Sequence, residues 1–363
     1  MSAIKKKQYS SVSFIGMAKN VGKTTAFNYL LKQCFVHNYP IGIASLGRDG
    51  EKIDAITGTE KPQILAAKDT LIASAKHSIL KSSASLEILE DTGYVSSLGP
   101  IYVARVRRPG FIELATTPSA KKMKDIIQIM KGLGAKLVIV DGALDRTSSA
   151  APETTDSTIL STGASLNSQM DVVVKKTAAR VQQLTLPSIN TSSLHVSSST
   201  LQQLHNAESS LVIGEDDHII LAMDKKSLGY EKHLLGFLKN QKIKYVYING
   251  AVVGSLLNIF VANRKTLQNT TLVVKNGANI LVDYQEWDRY LKAHGNIKAL
   301  KPINLIAVTC NPTSYRGDSF PPEKFVDALA ANLPGFTVVD LILGIKRRNP
   351  LENHYYDLLT SNL

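Results

Sequence analysis

The chain has 363 residues, 44% of them hydrophobic, which is enough for a substantial core, and its length predicts two domains. No apolar run approaches the roughly 20 residues of a membrane span, the start Met1-Ser2-Ala3-Ile4-Lys5-Lys6-Lys7 lacks a signal-peptide core, and Cys34 and Cys310 provide neither a disulfide framework nor a cysteine-rich metal site, so a cytoplasmic protein with no membrane partner is expected. The net charge of +12 is spread over short runs such as Arg105-Val106-Arg107-Arg108 and Lys346-Arg347-Arg348 with little aromatic interleaving; it reads as a solvated face that favours anionic ligands, rather than a nucleic-acid groove.

Near the start, Val12-Ser13-Phe14-Ile15 is apolar and rich in strand formers, like a buried strand, and Thr24 to Cys34 has helical periodicity. Between them runs Gly16-Met17-Ala18-Lys19-Asn20-Val21-Gly22-Lys23-Thr24-Thr25, a glycine-bounded strand-to-helix turn of the kind that cradles phosphate. Backbone N–H groups and the positive end of the helix face the anion in such a turn. Gly16, Asn20, Gly22, Lys23, Thr24 and Thr25 are therefore the predicted nucleotide-binding residues. Lys23 is expected to reach the terminal phosphates as a catalytic group, and the Thr24 hydroxyl to ligate Mg²⁺. The predicted ligand is a nucleoside triphosphate.

Further along, Ile41 to Ser45 reads as a strand ending in the polar loop Gly47-Arg48-Asp49-Gly50-Glu51, with Asp54 just beyond. Asp49 and Asp54 are candidate metal ligands with Glu51 beside them; a solvated turn is the alternative for each. Strands are predicted over 101–106 and 111–115, a helix over 119–132, and a strand over 137–140 that runs into Asp141-Gly142. An acid at such a strand end is the position from which a carboxylate holds Mg²⁺ opposite a phosphate loop, so Asp141 is predicted as a catalytic and metal-binding residue, the alternative being a turn cap. Arg48 and Arg146 could meet phosphate or an anionic substrate, or pair with neighbouring acids. Gly163 closes another predicted strand.

The Ser/Thr/Asn-rich stretch from Ser188 to Ser210 reads as loop with a short helix near 201–206, followed by a strand over 219–223. Asp224-Lys225-Lys226-Ser227-Leu228-Gly229 is then a plausible boundary, which gives a phosphate-loop domain over 1–224 and a second, smaller α/β domain over 225–363. Strands at 244–248, 272–274, 304–309 and 337–341 alternate there with helices at 251–262, 284–293 and 322–333. Asn249-Gly250 and Asn311-Pro312 either line a cleft in that second domain or are plain turns. The predicted fold class is α/β, a mostly parallel sheet carrying the phosphate loop, with ligands at the carboxyl ends of its strands.

The spacing of Gly16, Gly22, Lys23 and Thr24 resembles the loop of dethiobiotin synthetase and its relatives among P-loop proteins. The resemblance carries phosphate and metal roles onto Gly16, Gly22, Lys23 and Thr24, and the acidic strand-end role onto Asp141. Asn20 stands where that family's loop has an acid, and Ala18 where some neighbours of that branch carry a second lysine. Over nearly the whole chain, Ser45 to Glu51, Lys61-Pro62, Leu137 to Ala143, Ile159 to Ala164 and Val308 to Pro312 resemble the reactivase subunits of lysine 5,6-aminomutase. That resemblance implies ATP-dependent exchange of damaged adenosylcobalamin, with a cobalamin-dependent aminomutase as partner.

The leading expectation is thus a Mg²⁺-dependent nucleoside triphosphatase, a hydrolase using ATP, that acts on a protein or cofactor partner; no guanine-reading Asn-Lys-x-Asp motif is present. A ligase or kinase acting on a small carboxylate or alcohol, and a non-catalytic nucleotide sensor, are the alternatives. A homo-oligomer is left open.

Overall fold

The computed structural model describes residues 8–49, 64–142, 151, 153–190, 196–223 and 242–349. In chain order it runs β1 (Ser11–Gly16), α1 (Lys23–Val36), β2 (Ile41–Leu46), β3 (Arg48–Asp49), β4 (Ile64–Ala66), β5 (Leu71–Ala75), α2 (Lys76–Lys81), β6 (Ser85–Ser96), β7 (Gly99–Arg108), β8 (Gly110–Ile112), β9 (Leu114–Ala115), α3 (Ala120–Gly132), β10 (Leu137–Gly142) and β11 (Ser157–Gly163). It continues with α4 (Met170–Leu184), α5 (Ser198–Asn206), β12 (Ser210–Gly214), β13 (Ile219–Met223), β14 (Ile243–Ile248), α6 (Gly254–Ala262), β15 (Thr271–Val274), α7 (Tyr284–Lys292), β16 (Asn296–Ala299), β17 (Leu305–Asn311), α8 (Pro322–Asn332), β18 (Val338–Asp340) and β19 (Ile345–Arg347).

These elements form two compact units, one of residues 1–173 with 304–349, the other built on 174–303. Unit 1 holds a ten-stranded sheet in the order β19-β18-β17-β11-β1-β10-β2-β5-β7-β6. The run from β18 to β5 is parallel, and β19, β7 and β6 join antiparallel at the two edges. The central strands β1, β2, β10 and β11 are buried along almost their whole length, as expected where both faces of a parallel sheet are covered.

Alternation along the strands divides their side chains between two apolar layers. Val12, Phe14, Ile41, Ile43 and Ile139 pack with Phe27, Leu30, Leu31 and Cys34 of α1. Ala44, Leu46, Val138 and Val140 pack with Met123, Ile126, Ile127 and Met130 of α3. The rings of Phe14 and Phe27 meet edge-to-face at 5.6 Å, which fixes α1 against β1. Ser119 caps α3 by accepting from the Lys122 N–H. Both cysteines are buried free thiols, as expected.

Unit 2 holds a five-stranded sheet in the order β13-β12-β14-β15-β16, antiparallel through β14 and parallel from there on. Leu256, Leu257 and Phe260 of α6 and Trp287 and Tyr290 of α7 fill one face, joined by Ala179 of α4. Leu204 of α5 packs with Tyr245, Tyr247 and Val273 on another. Asp283 and Glu286 form a reciprocal cap at the start of α7.

The α/β class and the mostly parallel large sheet agree with expectation, but the division at residue 224 does not coincide with these units. Residues 304–349 belong to unit 1, because β17 pairs in parallel with β11, Gly163 opposite Asn311, and β18 pairs with β17. The apolar pattern of a buried strand shows that it is extended without naming its neighbour. No described helix is long and apolar enough to cross a membrane.

Candidate functional site

The glycine-bounded turn leaves the carboxyl end of β1, which lies between β10 and β11. Its first amide, Met17 N–H, donates to the Ser161 carbonyl of β11 at 2.9 Å. Val21 is buried beneath the turn. Asn20 and Gly22 both take left-handed backbone conformations, φ 58° and 87°. Glycine takes that geometry without a steric cost, and asparagine is one of the few side chains that tolerates it. Gly22 is the N-cap of α1 and has no side chain to engage the first-turn N–H groups, so the start of the helix is presented bare.

Lys23 is the first residue of α1, and its ammonium forms a hydrogen-bonded ion pair with Asp141 of β10. Lys23 is only 9% exposed and Asp141 is fully buried. Parallel pairing places Asp141 opposite Phe14 of β1 on one side and Ser45 of β2 on the other, so it lies at the carboxyl end of the sheet beside the turn. Two residues 118 positions apart in the chain are thereby brought together as the sequence predicts. Thr24 and Thr25 follow in the first turn of α1, half-buried.

The second acidic group is placed in part. The backbone of Asp49 lies in β3, which pairs antiparallel with β9 as Arg48 opposite Ala115 and Asp49 opposite Leu114. Glu51, Asp54 and Arg146 lie outside the described residues. Among the described residues no group of three or more His, Cys, Asp or Glu side chains is arranged to hold a metal ion.

Two residues beyond the motif also touch the turn. Ser165, just after β11, donates its hydroxyl to the Asn20 carbonyl at 3.3 Å, and the Asn311 carboxamide at the end of β17 donates to the same oxygen at 3.4 Å. Asn311 is not in the second unit, where its sequence position suggested a cleft, but in the first, against the turn. Gly163 allows this approach, since a Cβ there would stand 2.4 Å from the Asn311 carbonyl oxygen. The strand-end Asn-Pro pair was the available signal; its contact with a loop almost three hundred residues away in sequence was not readable. The neighbouring Cys310 thiol is pushed up to about 12 by burial, with the Asp340 charge adding to it, so it is a packing group and not a nucleophile.

A separate hollow of about 210 Å³ lies within unit 2, lined by Phe260, Arg264, Leu267, Tyr290 and His294 among others, and contains none of these residues. Compared with known proteins, the chain matches no family model, no curated protein and no solved structure.

Proposed function

We propose that the chain is a cytoplasmic, Mg²⁺-dependent nucleoside triphosphatase, with ATP as its nucleotide, whose turnover acts on a protein or cofactor partner. The observation that carries this reading is the buried Lys23–Asp141 pair at the mouth of a bare helix start. Burying two charges away from water costs several kcal/mol per ion, and hydrophobic replacements of such a pair are often as stable. A site that keeps the pair beside a ring of backbone amides has the parts for binding a polyphosphate and its metal.

In this reading the loop amides and Lys23 bind and orient the phosphates. Asp141 and the Thr24 hydroxyl are hard oxygen donors of the kind Mg²⁺ takes while keeping several waters, so the residues present fit the ion. The ion would supply charge neutralisation on the phosphate oxygens. Lys23, released from Asp141, would then stabilise charge on the transferred phosphoryl group. A cobalamin-dependent aminomutase, named by the resemblance of the Ser45 to Glu51 and Val308 to Pro312 phrases, is the proposed partner.

Phosphate release measured with ATP and Mg²⁺, with Lys23→Ala as the control, tests the reading. Turnover is expected in the wild type and none in the variant. Equal release from both overturns it. Turnover that appears only with a small carboxylate or alcohol would instead identify a ligase or kinase, and tight binding without turnover a sensor.

A further inference from the structure

We propose that Ser165 and Asn311 are positioning residues of the phosphate loop, a role that neither draws from the glycine–lysine motif; the inference rests on the nucleotide reading of the site. An anion is held when successive N–H groups converge on it and the intervening carbonyls point away. Residues 20 to 22 achieve this only while Asn20 and Gly22 stay left-handed, and Asn20, a non-glycine at φ 58°, occupies a strained region that surrounding structure must hold. The two donors on the Asn20 carbonyl provide that hold. A flip of the peptide between Asn20 and Val21 would break both bonds and turn a carbonyl dipole toward the anion in place of an N–H.

The donors are themselves fixed. The Asn311 carboxamide oxygen accepts the Thr313 N–H at 3.1 Å, which leaves its NH₂ group for the loop. Parallel pairing of Gly163 with Asn311 locks the end of β17 in place, and the Cβ position of Gly22 lies 3.5 Å from the Asn311 Cβ, so Asn311 supports the loop at two points. Ser165 approaches from the turn after β11, and the Met17 N–H bond to Ser161 anchors the loop's start to the same strand. The loop is thus clamped from β11 and β17, and the motif residues alone do not determine its shape.

Binding of ADP and of inorganic tripolyphosphate to the full chain, measured by titration calorimetry, tests the clamp in wild type, Ser165→Ala, Asn311→Ala, Ser165→Thr and Lys23→Ala. Each alanine variant at the clamp should bind both probes about tenfold more weakly, the effect of one lost hydrogen bond. The thermal unfolding midpoint should stay at the wild-type value, and Ser165→Thr, which keeps the hydroxyl, should restore affinity. Wild-type affinity in both alanine variants, or losses that merely follow a lower folded fraction, would overturn the clamp while Lys23→Ala still weakens binding and the nucleotide reading stands. Failure of the wild type to bind either probe would instead remove the nucleotide reading, and this inference with it.

Discussion

Lys23, at the start of α1, and Asp141, at the end of β10, form an ion pair that neither solvent nor sequence neighbours share. Removing one member leaves the other buried without its counter-charge. Lys23→Ala or Asp141→Ala should therefore destabilise unit 1 by about 3–5 kcal/mol, whereas the double replacement Lys23→Met with Asp141→Leu should come close to wild type. Urea denaturation followed by far-UV circular dichroism checks this. Single variants as stable as the double one would mean that the pair is solvated and that burial does not set its energetics.

At the opposite end of the same strands, Asp156 ties β11 to β1. Its Oδ2 accepts from the Ser10 N–H at 2.9 Å, the Ser10 hydroxyl at 2.7 Å and the Ser11 N–H at 3.0 Å. Partial burial pushes this carboxyl up, but the hydrogen bonds from Ser10 and Ser11 together outweigh it and hold the group below its ordinary 3.8. A depressed carboxylate stabilises the fold above the unfolded value and loses that contribution as pH falls through the folded one. Asp156→Ala should cost about 1 kcal/mol near neutral pH. The gap should narrow below 3.8, where the wild-type carboxylate takes up its proton. The same difference in urea midpoint at both pH values would show that the carboxylate charge plays no part.

How much of this was legible follows from what each signal encodes. The phosphate loop, α1, the strand ending in Asp141 and its approach to Lys23 were readable because glycine spacing, a run of buried-strand residues and an acid at the strand end are local features. The assignment of β17 and β18 was not, since a buried parallel strand is apolar whichever neighbour it pairs with. For the same reason Asn311, a visible strand-end residue, was placed in the wrong unit. Strand β6 escaped notice because register shifts between Ile88 and Glu90 and between Asp91 and Val95 break its alternation. Helix α4 opens on Val172-Val173-Val174, a β-branched run that resembles a strand.

In unit 2, Tyr290 lies between Phe260 and Trp287, with ring centroids 6.2 and 6.1 Å away, and its hydroxyl donates to the Asn296 carbonyl at 3.1 Å. The ring is wholly buried, and burial raises the phenol well above its ordinary 10.0. An acid raised in this way contributes fully below the unfolded value and destabilises the fold above it, because only the unfolded chain can release the proton. The wild type should accordingly lose about 1.4 kcal/mol for each pH unit above that value from this residue alone. Tyr290→Phe keeps the aromatic packing and forfeits the hydrogen bond, at a cost of about 1 kcal/mol near pH 8. Trp287 is the only tryptophan in the chain, so its fluorescence reports the unfolding of this unit. By about pH 11 the phenylalanine variant should match or overtake the wild type in urea midpoint. A wild-type lead that persists unchanged at that pH would mean that the folded tyrosine ionises in place and that its pocket admits water.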